Sequence, residues 1–145
     1  MTDVFSKKER SKIMRSVKSI NTKPEHIVRN RLHKLGFRFT LHQRKLPGTP
    51  DIVLPKYKAI INVNGCFWHG HKDCKRSTLP KSNSQYWQNK INRNKQRDEL
   101  NEKKLNELGW IVIIIYECEL KASNIDSTFK KLLTCLTQNI DSINI

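Results

Sequence analysis

The segment NGCFWHGHKDC, residues 64–74, holds two cysteines, two histidines and two large aromatics. Cys66, His71 and Cys74 follow a C-x4-H-x2-C spacing, and Cys118 further along the chain can supply a fourth donor. Four Cys/His donors are what a tetrahedral structural Zn²⁺ takes. The plainer reading is that of reduced core cysteines beside a surface histidine. Either His69 or His71 can be the imidazole ligand, which leaves one histidine over. That histidine, with Asp51, Asp98 and Glu25, makes a second set of candidates. A divalent cation such as Mg²⁺ is held by a couple of carboxylates, water and substrate phosphate. A histidine nearby can then act as general base. Such a set suits phosphodiester hydrolysis. The bland roles are a strand-opening aspartate at Asp51 and a Lys or Arg partner for Asp98.

For these residues to meet, the elements between them must fold in a particular way. TKPEHIVRNRLHKLG predicts a helix that starts at Thr22 or Lys23, takes Pro24 in its first turn and stops at Gly36. Its apolar stripe is Val28, Leu32 and Leu35, with Glu25 on the flank. FRFTLH alternates and reads as a strand, and LPGTP as a turn. DIVL and AIINVN, joined by the PKYK turn, predict antiparallel neighbours. A long helix is expected over 84–108, with Trp87, Ile91, Asp98 and Leu105 on one stripe. An acid on an apolar stripe needs a partner. WIVIIIYE reads as a central strand. A last helix over 125–139 presents Phe129, Leu132, Leu133 and Leu136, with Cys135 expected as a small buried residue beside them.

Strand, long helix and strand form a crossover unit, so AIINVN and WIVIIIYE should run parallel in one sheet. Cys66 then lies just past one strand end and Cys118 just past the other. Asp51 falls beside Asn62 to Asn64. Three distant stretches of sequence converge on one sheet edge. The expected fold class is α/β, a single domain over 1–145 with a mixed central sheet flanked by helices. Residues 1–20 form a basic N-terminal arm or helix, and 125–145 a C-terminal helix and tail.

The chain has 145 residues and a formal net charge of +15. That length can bury roughly 68–70% of its extended surface, enough for one core. The charge concentrates early: residues 1–48 carry thirteen Lys/Arg against Asp3, Glu9 and Glu25. A polyanion relieves such self-repulsion, and nucleic acid is the expected partner ahead of a membrane surface. The opening MTDVFSKKER has no apolar core of a signal peptide, and no run approaches the length of a membrane span. A soluble, cytoplasmic protein is therefore expected, whose four cysteines are thiols or ligands rather than disulfides.

The string LPGTPDIVLPKYKAIINVNGCFWHGHKDC, with YWQNKINRNKQRDELNEKKLNELGW, VIIIYEC and the N-terminal RSKIMRSV…TKPE, resembles the very-short-patch-repair endonucleases. The likeness covers about residues 3–120, and GCFWHGH is its most specific part. It implies a restriction-endonuclease-like fold and a Mg²⁺-dependent enzyme that nicks one DNA strand 5′ to the thymine of a T:G mismatch. Such mismatches arise when 5-methylcytosine deaminates. By the same likeness, Asp51 and the main-chain carbonyl of Val63 hold Mg²⁺. His69 is the base, Asp98 its carboxylate partner, and Glu25 an acid near the site. Cys66, His71, Cys74 and Cys118 bind structural Zn²⁺. Met14, Phe67 and Trp68 enter the base stack as apolar wedges. The protein is expected to act as a monomer on double-stranded DNA, with repair proteins as possible partners. The sequence departs from the restriction-enzyme pattern of Asp followed by Glu-x-Lys, since NVN stands there. Asn64 occupies a place where some members have a second histidine. Two other readings compete: a restriction-type enzyme that cuts both strands at a matched site, and a zinc-stabilised DNA-binding protein without catalysis.

Overall fold

The structure is a computed structural model that describes residues 22–72, 74, 75 and 78–143. Met14 and the basic arm lie outside the described residues. Helix α1 spans Lys23–Lys34, with Thr22 as N-cap accepting from the Glu25 N–H and Pro24 in the first turn. Thr22 supplies one of the acceptors that a helix start lacks. The buried stripe of α1 is Glu25, Val28 and Leu32, at helical spacing. Glu25 is thus in the stripe rather than on its flank, and Leu35 is exposed.

The strands are β1 (Thr40–Leu41), β2 (Ile52–Leu54), β3 (Ala59–Asn64) and β4 (Ile111–Tyr116), in the order β1-β2-β3-β4. β1 keeps only two residues of the expected FRFTLH strand, because Phe37 and Phe39 turn inward onto the core instead of pairing. The 3₁₀ turn Pro55–Tyr57, closed by left-handed Lys58, makes β2 and β3 antiparallel, with Ile52 opposite Ile61. β3 and β4 are parallel from Ala59↔Ile111 to Asn64↔Tyr116. The crossover between them contains α2 (Ser84–Glu107), which ends before Gly109 at φ +91. The last helix, α3, spans Ile125–Ile143.

Side chains alternate across the sheet, so each strand feeds two cores. Ile52, Leu54, Ala59, Ile61 and Ile115 face α1 and α3, where Val28, Leu32, Phe129, Leu132 and Leu136 meet them. Val53 and Ile60 face the other way, onto Leu105 of α2. The arrangement is a mixed four-stranded sheet between helices, a single small α/β domain. Cys135 is exposed, contrary to the sequence expectation. At about 100° per residue it lies beyond Leu132, off the stripe that Phe129, Leu132 and Leu136 define. Among the described residues no helix is long and apolar enough to cross a membrane.

Candidate functional site

The same alternation that buries Ile60 turns Asn62 and Asn64 toward α2, and Asp51 follows from Val53. Here the sheet and α2 part to leave a cleft of about 340 Å³. Asp51, Asn62 and Val63 line it from the sheet, His69 from the following loop, and Asp98 and Asn101 from α2. Asp51 is fixed from two sides. Its N–H donates to Asn62 Oδ1 at 3.2 Å, and its Oδ2 accepts the Val63 N–H at 2.9 Å.

Glu25 lies behind this cleft and is 2% exposed. A buried carboxylate must be paired to remain charged. Arg29, one turn along α1, forms an ion pair with its Oε2, and His42 Nε2 lies 3.0 Å from its Oε1. Glu25, His42 and Asp51 bring donor atoms within 4.8 Å of one another. Burial pushes the Asp51 carboxyl up to about 6; the Val63 N–H opposes this, and the nearby Glu25 carboxylate adds to it. Two carboxylates forced together in this way form a site that a divalent cation relieves.

His69 Nδ1 sits 2.5 Å from Asp98 Oδ2. With Nδ1–H donating to the carboxylate, the ring's lone pair is on Nε2. Asp98 is half-buried on the α2 stripe of Trp87, Ile91 and Leu105, at the mouth of the cleft, where an acid can be both paired and wet. The loop that carries His69 is coiled tightly. Its His69, Gly70 and His71 N–H groups donate back to the Gly65, Phe67 and Cys66 carbonyls. Asn94 of α2 caps it by donating to the Trp68 carbonyl at 2.9 Å.

Cys66, His71, Cys74 and Cys118 gather on the far side of this loop, their donor atoms all within 4.8 Å of one another. Cys118 belongs to the 3₁₀ turn Glu117–Leu120 that ends β4. Its Sγ is 3.4 Å from His71 Nδ1. Tetrahedral bonds of about 2.3 Å to sulfur and 2.0–2.1 Å to nitrogen put such a pair about 3.5 Å apart, so the set fits one metal ion. The His71 ring stacks on Tyr116 with centroids 3.8 Å apart. Burial pushes the Cys66 thiol up to about 12 and raises Cys118 as well. A metal-bound cysteine must be deprotonated, so an ion held here binds against that burial and releases the thiol protons. His69 is left outside the cluster, so His71 is the imidazole that joins the cysteines.

Phe67 and Trp68 are half-buried. With Trp87 they form a mutually tilted aromatic trio, centroids 5.2–5.8 Å apart, and Lys90 Nζ lies over the Trp68 ring. Among the described residues, the structure brings together the candidates named from the sequence; Met14 lies outside them. The sequence reading did not find His42, Asn62, Asn94 or Tyr116. His42 had a signal: it ends the segment that pairs with β2, so it had to fall beside Asp51. The roles of Asn62 and Asn94 depend on side-chain direction, which spacing does not show.

An α/β domain with an acid-and-imidazole cleft beside a Cys/His cluster defines the class: a restriction-endonuclease-like protein with two candidate metal sites. Residues 2–76 match the family model of the DNA mismatch endonuclease Vsr. The type II nicking enzyme V.XorIIP of Xanthomonas oryzae pv. oryzae is 48% identical over 120 residues, covering 83% of this chain and 88% of that one. V.NmeAIP of Neisseria meningitidis is 46% identical, over 83% and 86% of the two chains. The DNA mismatch endonuclease Vsr of Escherichia coli K12 is 38% identical, over 83% and 77%. The chain belongs to the Vsr DNA mismatch endonuclease family. Membership makes it a DNA endonuclease, a hydrolase of phosphodiester bonds.

Proposed function

We propose that this protein nicks one strand of double-stranded DNA 5′ to the thymine of a T:G mismatch left by deaminated 5-methylcytosine, and so starts very short patch repair. The observation that carries the reading is the shared cleft of Asp51 and His69, with Glu25 behind one and Asp98 bonded to the other. Asp51, Glu25 and the Val63 carbonyl are the groups to hold Mg²⁺. Mg²⁺ bound there supplies charge stabilisation for the phosphoryl group under attack. His69 Nε2 takes the proton from the attacking water. Asp98 keeps Nδ1–H in place and stabilises the imidazolium that forms.

Zn²⁺ is the ion assigned to Cys66, His71, Cys74 and Cys118, since three thiolates and an imidazole match its preference and leave no open position. Its task is to hold a rigid loop, with His69 facing the cleft and Phe67 and Trp68 on the adjoining surface. These rings, with Met14 from the arm, are the wedges that separate base pairs. Unstacking costs a few kcal/mol, and least at a mispair, so weak pairing is part of the recognition. The net charge of +15 serves the phosphate backbone. The enzyme works as an intracellular monomer, and proteins of the repair pathway act after it.

The decisive experiment incubates purified protein and Mg²⁺ with matched and T:G-containing duplexes side by side. A single nick in the mismatched duplex, lost in Asp51→Asn with DNA binding retained, is expected. Equal cutting of both strands in both duplexes points instead to a restriction-type enzyme. Binding without any cutting leaves a DNA-binding module.

A further inference from the structure

His42 is joined to both acids of the proposed cation site, through different parts of itself. Its backbone N–H donates to the Asp51 carbonyl at 3.2 Å. Its ring Nε2 lies 3.0 Å from Glu25 Oε1. Its φ is +47, in the left-handed region that a non-glycine residue enters only at a cost. That conformation turns the chain out of β1 and back over the start of β2. Arg29 completes the arrangement. Its guanidinium pairs with the other Glu25 oxygen, and its Nη2 is 3.3 Å from His42 Nε2.

A free glutamate side chain has many rotamers, and repulsion from Asp51 favours those that point away. Glu25 is nevertheless held beside Asp51 with both oxygens engaged. We propose that His42 and Arg29 are positioning residues that hold the Glu25 carboxylate against Asp51, so that the pair is set for a divalent cation before one arrives. His42 supplies the direction by linking the two acids, and Arg29 grips the other Glu25 oxygen through its guanidinium. The pair does for the carboxylates what Asp98 does for His69. Groups that orient metal ligands in this way typically change metal affinity or activity by about 10–100-fold when removed. The inference rests on the cation site proposed above.

The test separates the ring from the backbone. Asn tolerates the left-handed conformation, so His42→Asn keeps the turn but is too short to reach Glu25. His42→Gln places an amide N–H close to where the imidazole Nε2–H lies. Two measurements are made on each full-length variant: Mn²⁺ affinity by electron paramagnetic resonance without DNA, and T:G nicking against Mg²⁺ concentration. His42→Asn should weaken Mn²⁺ binding and raise half-saturating Mg²⁺ by about tenfold, with duplex affinity in Ca²⁺ unchanged. His42→Gln should recover most of both losses. The proposal is overturned if the Asn variant binds Mn²⁺ like the parent, or if the Gln variant is as impaired as the Asn variant. If the Asn variant does not fold, the Gln variant decides alone: parental Mn²⁺ affinity supports the proposal and a tenfold loss overturns it. A parent protein that binds Mn²⁺ at this cluster but nicks nothing overturns the proposed function and leaves the positioning role standing.

Discussion

The two clusters at the rim of the sheet are built alike and behave differently. Each draws on a strand end, a loop and a distant element: Cys66, His71 and Cys74 with Cys118 in one, Asp51 with Glu25 and His42 in the other. In each, burial pushes acidic groups above their ordinary range, Cys66 to about 12 and Asp51 to about 6. The difference lies in donor type and access. The sulfur cluster uses soft donors, its donor set is complete, and Cys66 is fully buried. The carboxylate cluster offers the hard oxygens of Asp51 and Glu25 beside the His42 ring, and opens into the cleft through Asp51. A closed set of four can only hold; an open pair has room for water and a phosphate. The fold thus places a closed donor set next to an open one.

That contrast is broken most severely at the sulfur cluster. Cys66→Ser, or stripping the wild-type protein with a strong chelator, should abolish cooperative thermal unfolding and all nicking together. A structural zinc contributes about 10 kcal/mol or more to folding in small domains, more than a domain of this size has to spare. Metal analysis should return close to one zinc per chain in the wild type. A sharp, unshifted melting transition in metal-free protein would refute the structural role. The next effect belongs to the cleft alone. His69→Ala should slow nicking by about 10²–10⁴-fold, the usual contribution of a general base, while zinc content and melting temperature stay put. Loss of zinc in that variant would mean that His69, not His71, ligates it.

Much of this geometry was legible in the sequence because topology does the positioning. Once AIINVN and WIVIIIYE are parallel neighbours, Cys66 and Cys118 have nowhere to go but the same edge. Once DIVL is antiparallel to AIINVN, Asp51 must reach Val63. The misses are of another kind. β1 is shorter than its alternation suggests because Phe37 and Phe39 gain more from the core than from pairing. Glu25 is buried, which a pattern of apolar residues cannot show, since what permits its burial is an ion pair to Arg29 and a turn at His42 with positive φ. Cys135 was misplaced by a single step around a helix. Periodicity locates elements and their faces; it does not locate side chains whose position depends on a polar partner from another element.

A smaller effect concerns the carboxylate cluster as the pH changes. The Asp51 carboxyl titrates near 6 in the folded protein and near 3.8 when unperturbed. Below both values it is protonated in either state and contributes no pH dependence. Between them the folded form keeps a proton that the unfolded form releases, so stability falls as pH rises. Above about 6 the loss is complete, at about 3 kcal/mol from the two values. With zinc retained and Mg²⁺ absent, the wild type should therefore lose stability from pH 4 to 7, as read by denaturant unfolding. Asp51→Asn should flatten that profile and be the more stable protein at pH 7. Mg²⁺ should restore the wild type and leave the variant unchanged. A wild-type profile that rises over this range would contradict the raised carboxyl.

The smallest effect separates the two clusters most finely, because Gly70 stands between His69 of one site and His71 of the other. Its φ is +57, and a Cβ there would come within 2.5 Å of Lys95 Cε and 2.7 Å of Ile91 Cγ2. Lys95 can swing aside, but Ile91 is buried on α2 and must shift or push the loop away. The left-handed conformation alone costs an alanine about 1–2 kcal/mol. Gly70→Ala should thus lower the melting temperature by a few degrees. The displacement is shared unequally. His71 belongs to a cluster joined to the sheet at Cys66 and Cys118, whereas His69 is held by one carboxylate, Asp98. The imidazole in the cleft should move first, so nicking should fall about tenfold, the rate equivalent of about 1.4 kcal/mol, while the zinc content stays near one per chain. Zinc lost in step with rate would mean that the two sites share one rigidity rather than one lending it to the other.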